Sequence, residues 1–226
     1  MSRTQELRDA IAADLSPAAA SRLSQMTAEI AADPSAAARL FPAAAREVAR
    51  GPLDLDDPSG IHGPTLDDAV RGVLLAALAE AVDDDARLLR EVSDLYRYGD
   101  GDEKRAVLRA LDLLGPEAQP VVEDALRTND IRIVAAAMGP WAGTHLDDAT
   151  WRQGVLKCLF VGVPLTAVDR LGERTDPELA RMVAAYAHER LAAGRSVPDD
   201  VHLVLDQEPG ALDQFPDVAA ALRPSA

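Results

Sequence analysis

Apolar residues recur at three- and four-residue spacing through Leu66, Ala69, Val70, Val73, Leu74, Ala77, Leu78 and Ala81, which predicts a helix with one buried face. Thr65 stands before it as an N-cap. Asp83, Asp84 and Asp85 open a second helix through Leu88, Leu89, Val92, Leu95 and Tyr96, with acids in the first turn, where the helix dipole favours them; Gly99 and Gly101 end it. The pattern continues with a helix over 102–114, a break at Gly115-Pro116 and a helix over 118–127. Thr128, Asn129 and Asp130 then supply capping residues for a helix over 131–138. After Gly139-Pro140 and a glycine-rich loop to His145, a helix spans 147–160 and a short one follows Pro164. A long helix runs from Asp176-Pro177 through Leu179, Met182, Val183, Tyr186 and Leu191 to Gly194, and a last turn or two covers 199–205. No alternating strand pattern of useful length interrupts this, so the expected fold class is all-α. HEAT-like stacked helical hairpins and an irregular helical bundle both suit these lengths, because no consensus aligns at a fixed period.

Residues 1–50 are dense in alanine, with triplets at 18–20, 36–38 and 43–45, and read as two or three N-terminal helices that pack on the main body. Residues 51–64 hold six Gly or Pro and three Asp and read as a loop or lid. The helical domain proper is expected over 65–206, and an irregular tail over 207–226.

Composition narrows the function classes. The chain has 226 residues, 48% hydrophobic, with 23 Lys+Arg against 38 Asp+Glu and a formal net charge of -15. That length buries a core without disulfides, and Cys158, between Lys157 and Leu159, reads as a small buried hydrophobe. The negative field argues against nucleic acid as a partner and leaves room only for a local basic pocket. No apolar run reaches membrane-spanning length and the start lacks a secretion signal, so membrane insertion is not expected and the cytoplasm is the expected compartment.

Familiar catalytic and cofactor motifs are missing: HExxH, CxxC, GxGxxG after a strand, a Walker loop and GxSxG. His62, His145, His188 and His202 are far apart, and the segment Asp54 to Gly60 lacks the glycine and glutamate positions of a calcium loop. Neither a metal nor a cofactor is therefore expected.

Three polar clusters stand out in apolar helices. The helix over 147–160 carries Trp151, Val155, Leu156, Cys158, Leu159 and Phe160, is apolar on nearly every face, and is expected to be buried. Gln153 and Lys157, four residues apart, form a narrow polar stripe on it; Lys157 is one of two lysines in the chain. An ion pair to a neighbouring helix and a pocket lysine for an anionic or carbonyl-bearing ligand are both open. Arg127, Thr128 and Asn129 place an arginine beside a helix start, either as caps or as an anion cradle. Tyr186 and Arg190 lie one turn apart, with His188 between them as a core-edge histidine or a base.

These segments resemble the EboA family. The similarity is carried by Leu126-Arg127-Thr128-Asn129, by Trp151-Arg152-Gln153-Gly154-Val155-Leu156-Lys157-Cys158-Leu159-Phe160 with Gly162 and Pro164-Leu165, and by Pro177-Glu178-Leu179-Ala180-Arg181-Met182 running through Tyr186-Ala187-His188-Glu189-Arg190 to Gly194-Arg195. It is clearest over 95–195. Asp176 stands where the family pattern has asparagine, Gly154 where methionine is common, and the loop from Gly139 to His145 where many members carry Asn-Pro-Tyr-Pro. The resemblance implies an all-helical protein encoded in a secondary-metabolite gene cluster, beside enzymes resembling a metal hydrolase, a prenyltransferase, a dehydroquinate-synthase-like enzyme and a sugar-isomerase-like barrel.

The expected function is accordingly that of an accessory protein of bacterial secondary metabolism, which binds or hands on a polar, anionic or polyhydroxylated intermediate. Its expected partners are that small molecule and another protein of the same cluster. The candidate ligand-binding residues are Arg127, Thr128, Asn129, Trp151, Gln153, Lys157, Tyr186, His188 and Arg190. The alternatives are an isomerase or lyase on a sugar-like or cyclitol-like substrate, with Lys157 or His188 as base, and a HEAT-like interaction scaffold. If the three clusters face one cavity, binding gains support; if they point to different surfaces, it is to be dropped.

Overall fold

A computed structural model describes residues 2–113 and 115–222; the expected helix end at Leu114 and the last four residues of the expected tail lie outside the described residues. Among the described residues every regular element is helical. In chain order they are α1 (Arg3–Ala10), α2 (Pro17–Ala32), α3 (Ala37–Glu47), α4 (Leu66–Ala81), α5 (Asp85–Tyr98), α6 (Gly101–Arg109), α7 (Gln119–Ala125), α8 (Ile131–Ala137), α9 (Pro140–His145), α10 (Asp148–Val161), α11 (Leu171–Arg174), α12 (Pro177–Ala192), α13 (His202–Leu205) and α14 (Pro216–Ala221), with short 3-10 turns between several of them.

The starts are set by side chains that accept the otherwise orphaned first N–H groups. Thr65 and Asp68 form a capping box on α4, and Asp100 and Glu103 form one on α6. Asp84, Asp130, Asp147 and Asp176 cap α5, α8, α10 and α12. Beyond the C-terminal end of α12, Gly194 takes a left-handed φ of +67° that a side chain would resist.

Several expectations are corrected. Gly101 opens α6 instead of ending α5, because Asp100 before it is a competent cap. The stretch 140–145 is α9 and not a loop: Pro140 sits in the first turn, where its missing N–H is harmless, and Trp141 is buried. Within the expected irregular tail, 209–214 form a 3-10 segment and 216–221 form α14, held by the fully buried Val218.

The helix expected to bury one face, α4, is the hub. Asp67, Asp68, Arg71, Leu75 and Ala76 are buried on it along with the predicted stripe. It packs against α1, α2, α3, α5 and α6. Leu23, Met26, Ile30, Leu40 and Phe41 seal the N-terminal helices, each large side chain contributing roughly 1.5–3 kcal/mol on burial. From α4 onward the even-numbered helices form a row, α4 on α6, α6 on α8, α8 on α10 and α10 on α12, with α5 flanking α6 and α7 flanking α8.

The segment 51–64 is tied to the helices at Gly51 and at 60–62. Leu66 N–H donates to the Gly51 carbonyl at 2.9 Å, joining the loop's two ends. Arg109 of α6 donates to the carbonyls of Gly60 and Ile61 at 2.9 and 2.8 Å, and His62 Nε2 lies 3.0 Å from Thr166 Oγ1. The Asp57 carboxylate accepts the N–H groups of Ile61, His62 and Gly63. Burial pushes its pKa up, but these three donors outweigh that and hold it below the usual carboxylate value.

Candidate functional site

Helix α10 is less buried than its composition predicts. Trp151, Gly154, Val155, Cys158 and Leu159 face the core, while Gln153, Leu156, Lys157 and Phe160 line an open groove of about 780 Å³ against α12 and the end of α7. Phe160 is 63% exposed. The floor is apolar, made by Leu126, Leu156, Phe160 and Met182, and the rim is cationic, made by Arg127, Arg152, Lys157 and Arg181 with Glu123 and Glu178.

The rim charges differ in how far they are engaged. Arg152 forks onto Asp176, and Arg181 donates twice to Glu178 at 2.8 Å. Arg127 is mostly exposed and reaches Asp124 only at 3.5 Å. Lys157 has no carboxylate partner among the described residues: its Nζ donates to the side-chain oxygen of Asn129 at 2.8 Å. An ammonium carries three donors, so Lys157 keeps donors and an unneutralised charge at the groove. Gln153 is exposed and its side chain makes no hydrogen bond among the described residues.

Two of the three clusters therefore meet at one groove. The capping triad divides its work: Asp130 caps α8, Thr128 Oγ1 accepts the Asp130 N–H at 3.2 Å, and Asn129 is left to reach across to Lys157.

The other candidates lie elsewhere. Trp151 is 1% exposed, its ring under the Arg174 guanidinium at 4.7 Å. Tyr186 is buried and donates its hydroxyl proton to the Leu159 carbonyl at 3.0 Å, with Phe160 edge-on to its ring. Arg190 lies over the Tyr186 ring and donates from Nε to the Ser196 carbonyl at 2.6 Å, closing the turn after α12. His188 points to the C-terminal segment, with Nδ1 2.7 Å from Asp217 Oδ2 and its ring beside Phe215. None of these four lines the groove. Cys158 is fully buried, and burial pushes its thiol up to about 12, far from a thiolate nucleophile at neutral pH.

A second constellation was not anticipated from the sequence. Asp67, Asp68, Arg71 and Arg105 are all under 10% exposed. Arg105 donates to Asp68 at 2.7 Å, to Thr65 at 2.9 Å and to Asp102 at 3.2 Å, while Arg71 donates to Asp67 at 3.1 Å. Burial opposes the Arg105 charge, but the Asp68 hydrogen bond and the surrounding carboxylates raise its pKa further. Arg71 four residues after Asp67, and Arg105 three after Asp102, read locally as ordinary helix-surface pairs. The available signal was the capping box at Thr65 leading into a helix apolar on more than one face.

Among the described residues no group of three or more His, Cys, Asp or Glu is placed to hold a metal ion, and no helix is long and apolar enough to cross a membrane. A family model described as metabolite traffic protein EboA matches residues 62–206, a span that includes the groove, α4 and the buried ion network. No curated protein and no solved structure matches the chain.

Proposed function

The chain belongs to the EboA family, and from that membership we propose that it is an accessory protein of metabolite traffic that binds a small pathway intermediate in the groove between α7, α10 and α12. The observation that carries this reading is Lys157, an ammonium held by the neutral Asn129 and facing an apolar floor. A cation with no carboxylate partner in a partly enclosed groove is poised to take one from a ligand. Arg127 and Gln153 add free donors on either side. The ligand this suits has an apolar body, lying on Leu156, Phe160 and Met182, and an anionic or polyhydroxylated end at Lys157.

The purified protein should acquire a mass adduct in native mass spectrometry, with a raised melting temperature, when exposed to extracts of cells that carry the neighbouring pathway genes. Extracts lacking those genes should give neither. Lys157→Ala and Arg127→Ala should lose the adduct while melting like the parent in buffer. No adduct from any extract, with a pathway enzyme co-purifying instead, would overturn the pocket and favour an interaction scaffold.

A further inference from the structure

Beside the buried ion network, a separate cleft of about 420 Å³ lies between the end of α3, the 51–64 loop and the starts of α4 and α6. Its inner wall includes Arg71, whose side chain is 3% exposed. Arg71 Nε donates to the Phe41 carbonyl at 3.3 Å and Nη1 to Asp67 at 3.1 Å. Among the described residues Nη2 makes no hydrogen bond, and its ion pair with Glu103 Oε1 is long, at 4.0 Å, beyond hydrogen-bond reach. A guanidinium holds five N–H groups in a fixed fork, so the Nη2 pair remains unspent at the cleft wall.

The rim carries two more unspent cations. Arg46, in the last turn of α3, and Arg50, just beyond it, are exposed and have neither an ion pair nor a hydrogen bond among the described residues. Every acid of the lining already accepts hydrogen bonds, those to Asp100 and Glu103 from backbone N–H groups that leave their charges in place. Asp67 accepts from Arg71 and Thr65, Asp102 from Arg105 and Arg132, and Asp100 and Glu103 accept each other's backbone N–H groups. Among the described residues, Arg46 and Arg50 are the lining arginines left without a carboxylate, in a chain of formal charge -15 whose bulk field gives no reason to gather arginines at one place.

We propose that this cleft binds the phosphate of a phosphorylated small molecule, clamped by Arg46 and Arg50 at the rim and by Arg71 Nη2 at the wall. Three guanidinium groups exceed what a two-oxygen carboxylate can use and match the three terminal oxygens of a phosphate monoester. The volume leaves room for a sugar-sized body beyond the phosphate. The site is independent of the α10 groove and shares no lining residue with it.

The test is titration of inorganic phosphate and of glycerol 3-phosphate, at ionic strength matched with chloride, read by phosphorus NMR line width and by melting temperature. The parent should broaden the phosphorus line and melt higher. Arg46→Ala/Arg50→Ala, which leaves the buried network intact, should weaken both responses at least about tenfold. Arg22→Ala/Arg39→Ala removes the same charge from arginines paired with Glu47 and Glu29 and should respond like the parent. Lys157→Ala should also respond like the parent, which separates this site from the groove. The proposal is overturned if neither phosphate compound binds the parent, if the rim variant binds as the parent does, or if the charge-matched control loses binding equally.

Discussion

Met138, at the C-terminal end of α8, fills the space that a side chain on Gly154 of α10 would take: a Cβ there would lie 2.8 Å from the Met138 Cε, closer still to its Sδ, and 3.5 Å from Leu126 Cδ1. A mid-helix glycine costs about 1 kcal/mol relative to alanine, and here the missing side chain lets the two helices close around the thioether.

Gly154→Ala should therefore lose about 1–2 kcal/mol in spite of its better helix propensity, because Met138 must give way. Met138→Ala should lose about 2–5 kcal/mol by opening a cavity. The double variant should lose clearly less than the sum, measured by urea denaturation. Strict additivity would show that the thioether retreats without cost.

Asp176 caps α12 through the Leu179 N–H at 2.8 Å and pairs with Arg152. The Arg152 hydrogen bond, against a smaller upward push from burial, holds the carboxyl below its usual value. A depressed carboxyl contributes stability that is fully present above its unfolded pKa and is lost as pH falls through the folded one. Asp176→Asn keeps a capping acceptor but removes the titration, so it should lie within about 1 kcal/mol of the parent at pH 7 and lose less than the parent between about pH 4 and 2. Parallel denaturation curves across that range would show that the pair contributes nothing.

Arg105→Met strands Asp68 in the interior without its donor at 2.7 Å and should lose about 3–5 kcal/mol. Arg132→Ala removes a part-exposed partner of Asp102 and should lose at most about 1 kcal/mol. Thermal melts of the two should separate widely; equal shifts would mean that the buried network does not act as one unit.

His188 ties α14 to α12 through Asp217 and Phe215. His188→Ala should raise amide hydrogen exchange over 209–221 while exchange at α10 stays as in the parent. An unchanged C-terminal segment, or loss of protection spreading to α10, would remove this role.

Most of the secondary structure was legible because its signals are local. The stripe from Leu66 to Ala81 and the caps at Thr65, Asp147 and Asp176 lie within one or two turns of what they control. At Gly139-Pro140 the same reading failed, since two breakers in sequence look like a loop and only the burial of Trp141 shows a helix. The groove was legible in part: Gln153 and Lys157 share a face by spacing, whereas the Asn129 partner comes from 28 residues away. His188 and Arg190 carry the right chemistry, but the direction of a side chain depends on what packs beside it, here α14 and the Ser196 turn. The ion network joins Arg105 to Thr65 and Asp68, 40 and 37 residues apart, a distance over which no periodicity speaks.

The placement of α4 as a hub also sets an order in time. Helices α1, α2 and α3 all lie against it, yet they are synthesised first. Until Ala81 has left the ribosome, α1, α2 and α3 lack the full length of the helix against which all three pack. Each later member of the row meets a partner already made, so growth beyond α4 can add one helix pair at a time onto a finished edge.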